Sequence, residues 1–406
     1  MHEVRQTLAI ITQEVVQLEP RPCSLGAAGG LVLARGVAVD ADSPPFDRAL
    51  LDGYAVRGED AVTGARLRIV GRMDAGMAGE GGLRVGAGTC VAINTGAMMP
   101  AGADAVVKVE DTKVEGTSEQ WMVVAKPTRA GGGVARRGQD ASKGQGVLTA
   151  GMRLGAAPLA VAAAAGVAEV WAYPRPRVAV LTTGDELVGI DAVPGPGQIR
   201  NSNGVMLEEL VRSAGGVVAG GGAAWVGDDA ERLRQAMETE LASAEVLVVT
   251  GGMSMGTKDY VPRVLVEMGV RLLVEKVRMK PGKPFLFGTL ERGGGRKYVV
   301  GLPGNPVSGF VCFVRFASPL LAQLRGETGE VMILHARSEE ALPANEDREF
   351  YQPALWRQTP EGPVVRTLSW KGSADIYTLA RANALLVHPP LAENRPAGTV
   401  VDILAL

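Results

Sequence analysis

The chain has 406 residues, 46% of them apolar and 21% charged, which gives room for two to four domains of about 150 residues and excludes wholesale disorder. A formal charge of -2, from 42 Lys+Arg against 44 Asp+Glu, argues against a generally basic surface for nucleic acid or anionic lipid and leaves room for a local basic pocket. The 54 glycines, about 13% of the chain, follow no collagen period, so they belong to turns and close backbone approaches. Aromatics at 4% argue against stacking platforms for single strands. Cys23, Cys90 and Cys312 are odd in number and far apart, which excludes a disulfide framework or a zinc ribbon and suits a reducing, cytoplasmic setting. His2, His335 and His388 are too scattered for a histidine metal site. The opening MetHisGluValArgGln is charged and polar, unlike a secretory signal. The least polar stretch, 155–168, carries Pro158 and Gly166 and is shorter than the ~20 residues of a membrane span; it is expected to be a buried alanine-rich helix.

In chain order, Val4, Leu8, Ile11, Val15 and Leu18 recur at helical spacing and predict an amphipathic helix over 2–18. From 46 to 146, short β-prone runs at 66–70, 90–94, 105–109 and 121–125 alternate with glycine clusters, the texture of a small β-barrel or sandwich. A helix is expected again over 158–167. Between 177 and 326, the runs 178–181, 217–225, 246–249 and 298–300 read as strands. The segments 205–213, 230–241, 260–267 and 306–317 read as helices, so this part is expected to be a doubly wound, mostly parallel α/β domain. Past 327, β runs at 364–368, 384–388 and 399–404 predict a small β domain. The fold class is thus α/β plus β and multidomain. A central α/β domain (177–326) follows an inserted barrel-like β domain (46–146) and precedes a C-terminal β domain (327–406). Residues 1–45 and 147–176 form an N-terminal linker and helical part whose first helix could pack on the α/β domain.

Three α/β strands run into glycine-rich turns: ThrThrGlyAspGluLeu (182–187), ThrGlyGlyMetSerMetGlyThrLysAspTyr (250–260) and GlyLeuProGlyAsnProValSer (301–308). Ligands of open α/β sheets bind outside the carboxyl ends of the strands, and exposed amides suit phosphate or another oxyanion. One such turn alone is more simply a tight turn; three at one sheet edge favour a site. The segment lacks the GlyLys[Ser/Thr] order of a P-loop, and no GxGxxG sits in a βαβ context. MetLysProGlyLysPro (279–284), preceded by Lys276 and Arg278, could clamp an anion or simply be a solvated edge strand. On a strand, Lys276, Arg278 and Lys280 would share one face. Acidic residues at turns, Asp52, Asp140, Asp185, Glu186, Asp228, Asp229 and Asp259, suit Mg²⁺ or serve as caps and turn formers; Asp229 in particular reads as a helix cap.

Taken together these stretches, with ProProPheAspArgAlaLeuLeuAspGlyTyrAlaVal (44–56), IleAsnThrGlyAlaMetMetProAlaGlyAlaAspAlaVal (93–106) and ArgArgGlyGlnAsp (136–140), resemble the molybdopterin molybdenumtransferase family. These are MoeA-like proteins, also seen as the E domain of gephyrin. The likeness runs over nearly the whole chain. It implies that residues 177–326 form a MogA-like α/β domain and that the protein is an elongated homodimer. It also implies insertion of molybdenum from molybdate into adenylylated molybdopterin, assisted by Mg²⁺, with release of AMP. Carried over by motif, Asp52, Thr95, Asp140, Glu186, Asp228, Asp259, Lys276 and Lys280 fall on functional positions. Asp259 and Glu186 are the metal or water-positioning candidates. Lys280, Ser308 and Ser373 would hold molybdate, Lys276 would meet phosphate, and Gly251, Gly252 and Ser254 would cradle the pyrophosphate side, with Pro303, Gly304 and Asn305 of the third turn as further substrate-binding candidates. Departures are Leu51 for a usual Met, Gln139 for a common acid, and Met253 and Met255 for valines. In the C-terminal domain Asp347 stands where the family has an arginine and Arg348 comes one residue later; on a strand that slip would reverse the side chain.

Three other readings compete. A MogA-like adenylyltransferase, acting one step earlier and a candidate partner, would consist of the α/β domain alone. A pterin scaffold or carrier would lack the site's charged residues. A generic NTP enzyme is disfavoured by the missing P-loop.

Overall fold

The computed structural model describes all residues except 78–81, 117–119, 254–259, 329–331 and 346. The chain divides into two compact units: residues 22–29 with 35–170, and residues 1–21 with 30–34 and 171–406.

The first unit is built on a six-stranded sheet. In spatial order its strands are Ala105–Lys108, Gly53–Val56, Thr89–Ile93, Arg66–Met73, Trp121–Val124 and Thr112–Glu115. All neighbours are antiparallel except Arg66–Met73 beside Thr89–Ile93. Successive side chains go to opposite faces, and here both faces are buried. Ala55, Val91, Ile93 and Val106 enter one cluster, while Val56, Cys90, Ala105 and Val107 enter another. The strands therefore read as short continuous apolar runs rather than as alternation. Gly53 is fixed by packing, because a Cβ there would lie 2.0 Å from the Val107 carbonyl oxygen. The alanine-rich helix forms over Ala156–Ala164, but the expectation of burial fails: within it only Ala162 is buried. Alanine stabilises the helix through backbone propensity and offers little volume to a core, so a high apolar content did not imply an interior position.

In the second unit, a seven-stranded sheet runs Val217–Val218, Arg177–Thr183, Val246–Thr250, Gly295–Leu302, Leu286–Arg292 and Arg271–Val274, with Ala224–Val226 also pairing with Arg177–Thr183. The expected strand 217–225 is broken in two, with Gly220 and Gly221 at positive φ between the halves. The central pairs are parallel, and Leu286–Arg292 is antiparallel to both its neighbours. Val178, Val180, Val246, Val248 and Val300 face one layer, with Leu207 and Val211 of helix Ser202–Ser213 and Val307 and Val311 of helix Pro306–Cys312. Ala179, Leu181, Leu247, Val249 and Val299 face the other, with Leu233 and Met237 of helix Ala230–Ser243 and Val261 and Leu265 of helix Val261–Glu267. That is the double winding expected of the pattern.

Helix Pro306–Cys312 continues through a π-helical turn, Phe313–Ala317, into Ser318–Leu324. Among the described residues this is the one helix long and apolar enough to cross a membrane, yet 67% of it is buried inside the protein. Phe313, Phe316, Leu320, Leu321 and Leu324 account for its composition as core residues. The amphipathic helix spans Val4–Glu14 and sends Val4 and Ile11 into the same core.

The C-terminal strands Glu349–Thr359, Gly362–Thr367, Ile333–Ser338, Val400–Ala405 and Ala384–His388 close on themselves, since the first also pairs with the last. They make a five-stranded barrel around Ala336, Ala354, Val365, Leu386 and Ile403. Leu385, Val387 and Leu404 point outward into the α/β core.

Candidate active site

The three glycine turns meet at one sheet edge. Thr182 is in register with Thr250, and Thr250 with Leu302. Beyond these ends opens a cavity of about 770 Å³. Glu186, Asp228, Gly251, Gly252, Pro303, Gly304 and Asn305 all line it. The turns brace one another: Gly251 N–H donates to the Leu302 carbonyl (3.3 Å) and the Thr250 hydroxyl to the Pro303 carbonyl (3.0 Å). Gly251 has φ +98°, and a Cβ there would lie 2.2 Å from the Thr183 carbonyl oxygen. Asp228 is half-buried and accepts from the Thr183 hydroxyl at 2.9 Å. Its own N–H donates to the Asp185 carboxylate at 3.0 Å, so Asp185 shapes the turn. Glu186 is exposed, with its carboxylate folded over Gly184. Asp229 caps helix Ala230–Ser243 by accepting from the Arg232 N–H at 2.8 Å.

Several lining residues, Asn201, Asn203 and Tyr377 among them, carried no motif signal. Asn201 caps helix Ser202–Ser213 and donates to the Thr182 hydroxyl at 2.8 Å. Asn203 donates to the Gly304 carbonyl at 2.7 Å, tying that helix to the third turn. Thr183 and Tyr377 complete the wall. The AsnSerAsn run before a helical pattern was the available signal for the first two.

Other candidates lie off this cavity. Ser308 is 4% exposed within helix Pro306–Cys312 and does not line it. Ser373 accepts from the Val307 N–H at 3.0 Å through its carbonyl, which fastens the C-terminal segment to that helix. Val277 and Met279 are buried between Lys276, Arg278 and Lys280, but only Met279–Lys280 forms a strand; Val277 makes an isolated bridge to His2 and Arg278 lies in a bend, so the expected continuous strand is not formed. Arg278 pairs with Glu3 at 3.1 Å, and the Lys280 ammonium sits 5.0 Å from the Phe350 ring centroid. Arg348 donates to Asp347 at 2.6 Å, just ahead of strand Glu349–Thr359. Neither of these two residues lines the cavity. Asp259 and Ser254 lie outside the described residues.

In the other unit, Asp52 and Thr95 are brought together. The Asp52 carboxylate accepts from the Thr95 N–H at 2.7 Å and from its hydroxyl at 2.9 Å. These two bonds, the backbone one first, hold the Asp52 carboxyl below the usual range. Asp140 is exposed, 3.6 Å from the Arg48 guanidinium. Gln139 accepts from the Arg136 N–H at 3.0 Å, a bond that an acid could also make.

Among the described residues no three His, Cys, Asp or Glu side chains cluster as a ready metal cage. Two carboxylates on one cavity, Glu186 and Asp228, fit Mg²⁺, which binds through one or two carboxylates and fills its shell with water and phosphate oxygens.

Comparison with known proteins agrees along the chain. Residues 2–166 match the family model for the MoeA N-terminal region (domain I and II), residues 179–323 that of a "Probable molybdopterin binding domain", and residues 335–406 that of the MoeA C-terminal region (domain IV). A molybdopterin molybdenumtransferase from Nostoc is 34% identical over 96% of this chain and 90% of its own length. One from Synechococcus elongatus is 33% identical over 98% and 97%. The crystal structure of a molybdopterin biosynthesis MoeA protein from Pyrococcus horikoshii superposes with a TM-score of 0.83 at 26% identity, covering all of both chains. The chain belongs to the molybdopterin molybdenumtransferase (MoeA) family.

Proposed function

We propose that this transferase takes adenylylated molybdopterin and molybdate, places the metal on the dithiolene sulfurs and releases AMP. The observation that carries the reading is the convergence of three glycine turns with Glu186 and Asp228 on one cavity of about 770 Å³. Backbone amides at the turns suit the phosphates, and carboxylates suit a cation that accompanies them. Glu186 and Asp228, with Asp259 by its motif, would hold a magnesium ion, which when bound offsets charge on the phosphoanhydride. Asp228, fixed by Thr183, presents its remaining lone pairs to the cavity, where it can orient water for attack on phosphorus. Lys280 and Lys276 are proposed for oxyanion and phosphate contacts, and Ser373 and Ser308 for support of molybdate. Arg348 is assigned from its place one residue after the family's arginine position, and Asp52, Thr95 and Asp140 from their motifs.

A homodimer, supplied by a MogA-like adenylyltransferase, completes the proposal. The helix Ala156–Ala164 supports the dimer by leaving most of its apolar residues uncovered in the single chain. A reducing, cytoplasmic setting suits three free cysteines.

The test is AMP release from adenylylated molybdopterin in the presence of Mg²⁺, with and without molybdate. Molybdate-dependent release that falls at least ~10²-fold in Asp228→Asn and Glu186→Gln, both still folded, is expected. Tight binding with no molybdate-stimulated release would replace the enzyme reading with that of a carrier.

A further inference from the structure

Tyr377 is 83% exposed, an unusual position for a large aromatic side chain. Among the described residues it is also the one aromatic side chain lining the cavity at the sheet edge. The rest of that wall is glycine, proline, small polar side chains, two carboxylates, Arg200 and the apolar Leu187, Ile199, Met253, Ala374 and Ile376, none of which offers an aromatic face. With Ala374, Tyr377 also borders a neighbouring cavity of about 470 Å³ that carries Lys371 and Arg381. The ring is therefore a free-standing wall between two openings.

Its backbone is nevertheless held firmly. Tyr377 lies in the short helix Ile376–Leu379, whose Thr378 and Leu379 are buried. Asp375 accepts from the Thr378 N–H (3.1 Å), the Thr378 hydroxyl (2.7 Å) and the Lys371 N–H (3.0 Å). The segment is fastened to the third glycine turn's helix through Val307 N–H to the Ser373 carbonyl. A fixed backbone with an uncovered ring is the arrangement of a stacking surface, because a flat ligand gains contact without a large loss of side-chain freedom.

We infer that Tyr377 is the stacking partner of a planar heterocycle of the substrate and so a specificity-determining residue. This rests on the nucleotide-pterin reading above, in which the substrate carries two such rings, adenine and pterin. Base–aromatic stacking of ~1–3 kcal/mol corresponds to a loss of about 5- to 150-fold in affinity when the ring is removed, with tenfold near the lower end.

The experiment measures binding of AMP and of metal-free molybdopterin, separately, to the full-length protein and to Tyr377→Ala and Tyr377→Phe, with steady-state AMP release alongside. Tyr377→Ala should keep the wild-type melting temperature, since it removes no buried contact. It should bind one of the two compounds about tenfold more weakly and raise KM with little change in kcat. Tyr377→Phe should restore both. Loss confined to AMP assigns the adenine, and loss confined to molybdopterin assigns the pterin. Unchanged affinity for both compounds in Tyr377→Ala overturns the stacking role alone. Wild-type protein that binds neither overturns the nucleotide-pterin reading and this inference together.

Discussion

Gly251 stands where two turns nearly touch, at positive φ and with the Thr183 carbonyl against the place a side chain would fill. Gly251→Ala must therefore pay for a left-handed backbone, ~1–2 kcal/mol, and push the first turn away from the second. The expected result is a lower melting temperature together with weakened binding at the cavity. A fully stable and active Gly251→Ala would show that the turns are not braced as described. Such glycines are readable from sequence because the backbone demand and the residue type correspond directly. Tyr377 was not readable: its importance lies in what fails to cover it, and exposure depends on how the barrel and helix Pro306–Cys312 are joined. Ser308 shows the converse, since its motif is plain while its burial within the helix is a matter of packing.

The segment 136–143, which carries Asp140, is held by carboxylates in addition to a single antiparallel bridge between Ser43 and Ala141. Asp42 accepts from the Lys143 N–H (2.8 Å) and the Arg137 guanidinium (2.7 Å). Asp47 accepts from the Arg137 N–H (2.8 Å) and the Arg136 guanidinium (2.7 Å). These bonds, backbone ones foremost, depress both carboxyls below their ordinary 3.8. A depressed carboxyl stabilises the folded state above its ordinary value, and that stabilisation is lost as pH falls through the depressed folded value. The urea midpoint should therefore fall as pH drops below about 4, and Asp47→Asn should flatten that decline while lowering the midpoint at neutral pH. An unchanged acid limb in Asp47→Asn would remove the carboxylate from this role. Element types in the α/β part were legible from period alone, since strands buried on both faces read as unbroken apolar runs beside amphipathic helices. The antiparallel strand Leu286–Arg292 and the split of 217–225 were not, because partner choice and a glycine break are settled between strands rather than within one.

At the scale of the whole molecule, the exposed helix Ala156–Ala164 and the proposed dimer make a joint prediction. Light scattering at micromolar concentration should give twice the chain mass of 42.3 kDa. Replacing Val161, 38% exposed on that helix, by Glu should shift the mass toward one chain if the helix lies at the contact. A wild-type mass of one chain would refute the dimer. The division into two compact units could not be read from composition alone, because the segments 22–29 and 30–34 belong to different units although no shift in texture separates them.

One core runs from Val4 and Ile11 at one end of the sequence to Leu404 at the other, while residues 35–170 belong to a separate unit with its own buried clusters. On the ribosome this sets an order of events. The inserted unit can complete its sheet as soon as it emerges. The first helix, made earlier, must wait with an uncovered apolar stripe while the remaining ~390 residues are made. At ~5–20 residues per second that is about 20 to 80 s of exposure. The earliest-made helix is thus among the last to be buried, and the nascent chain meets the cell's chaperones with that stripe in view.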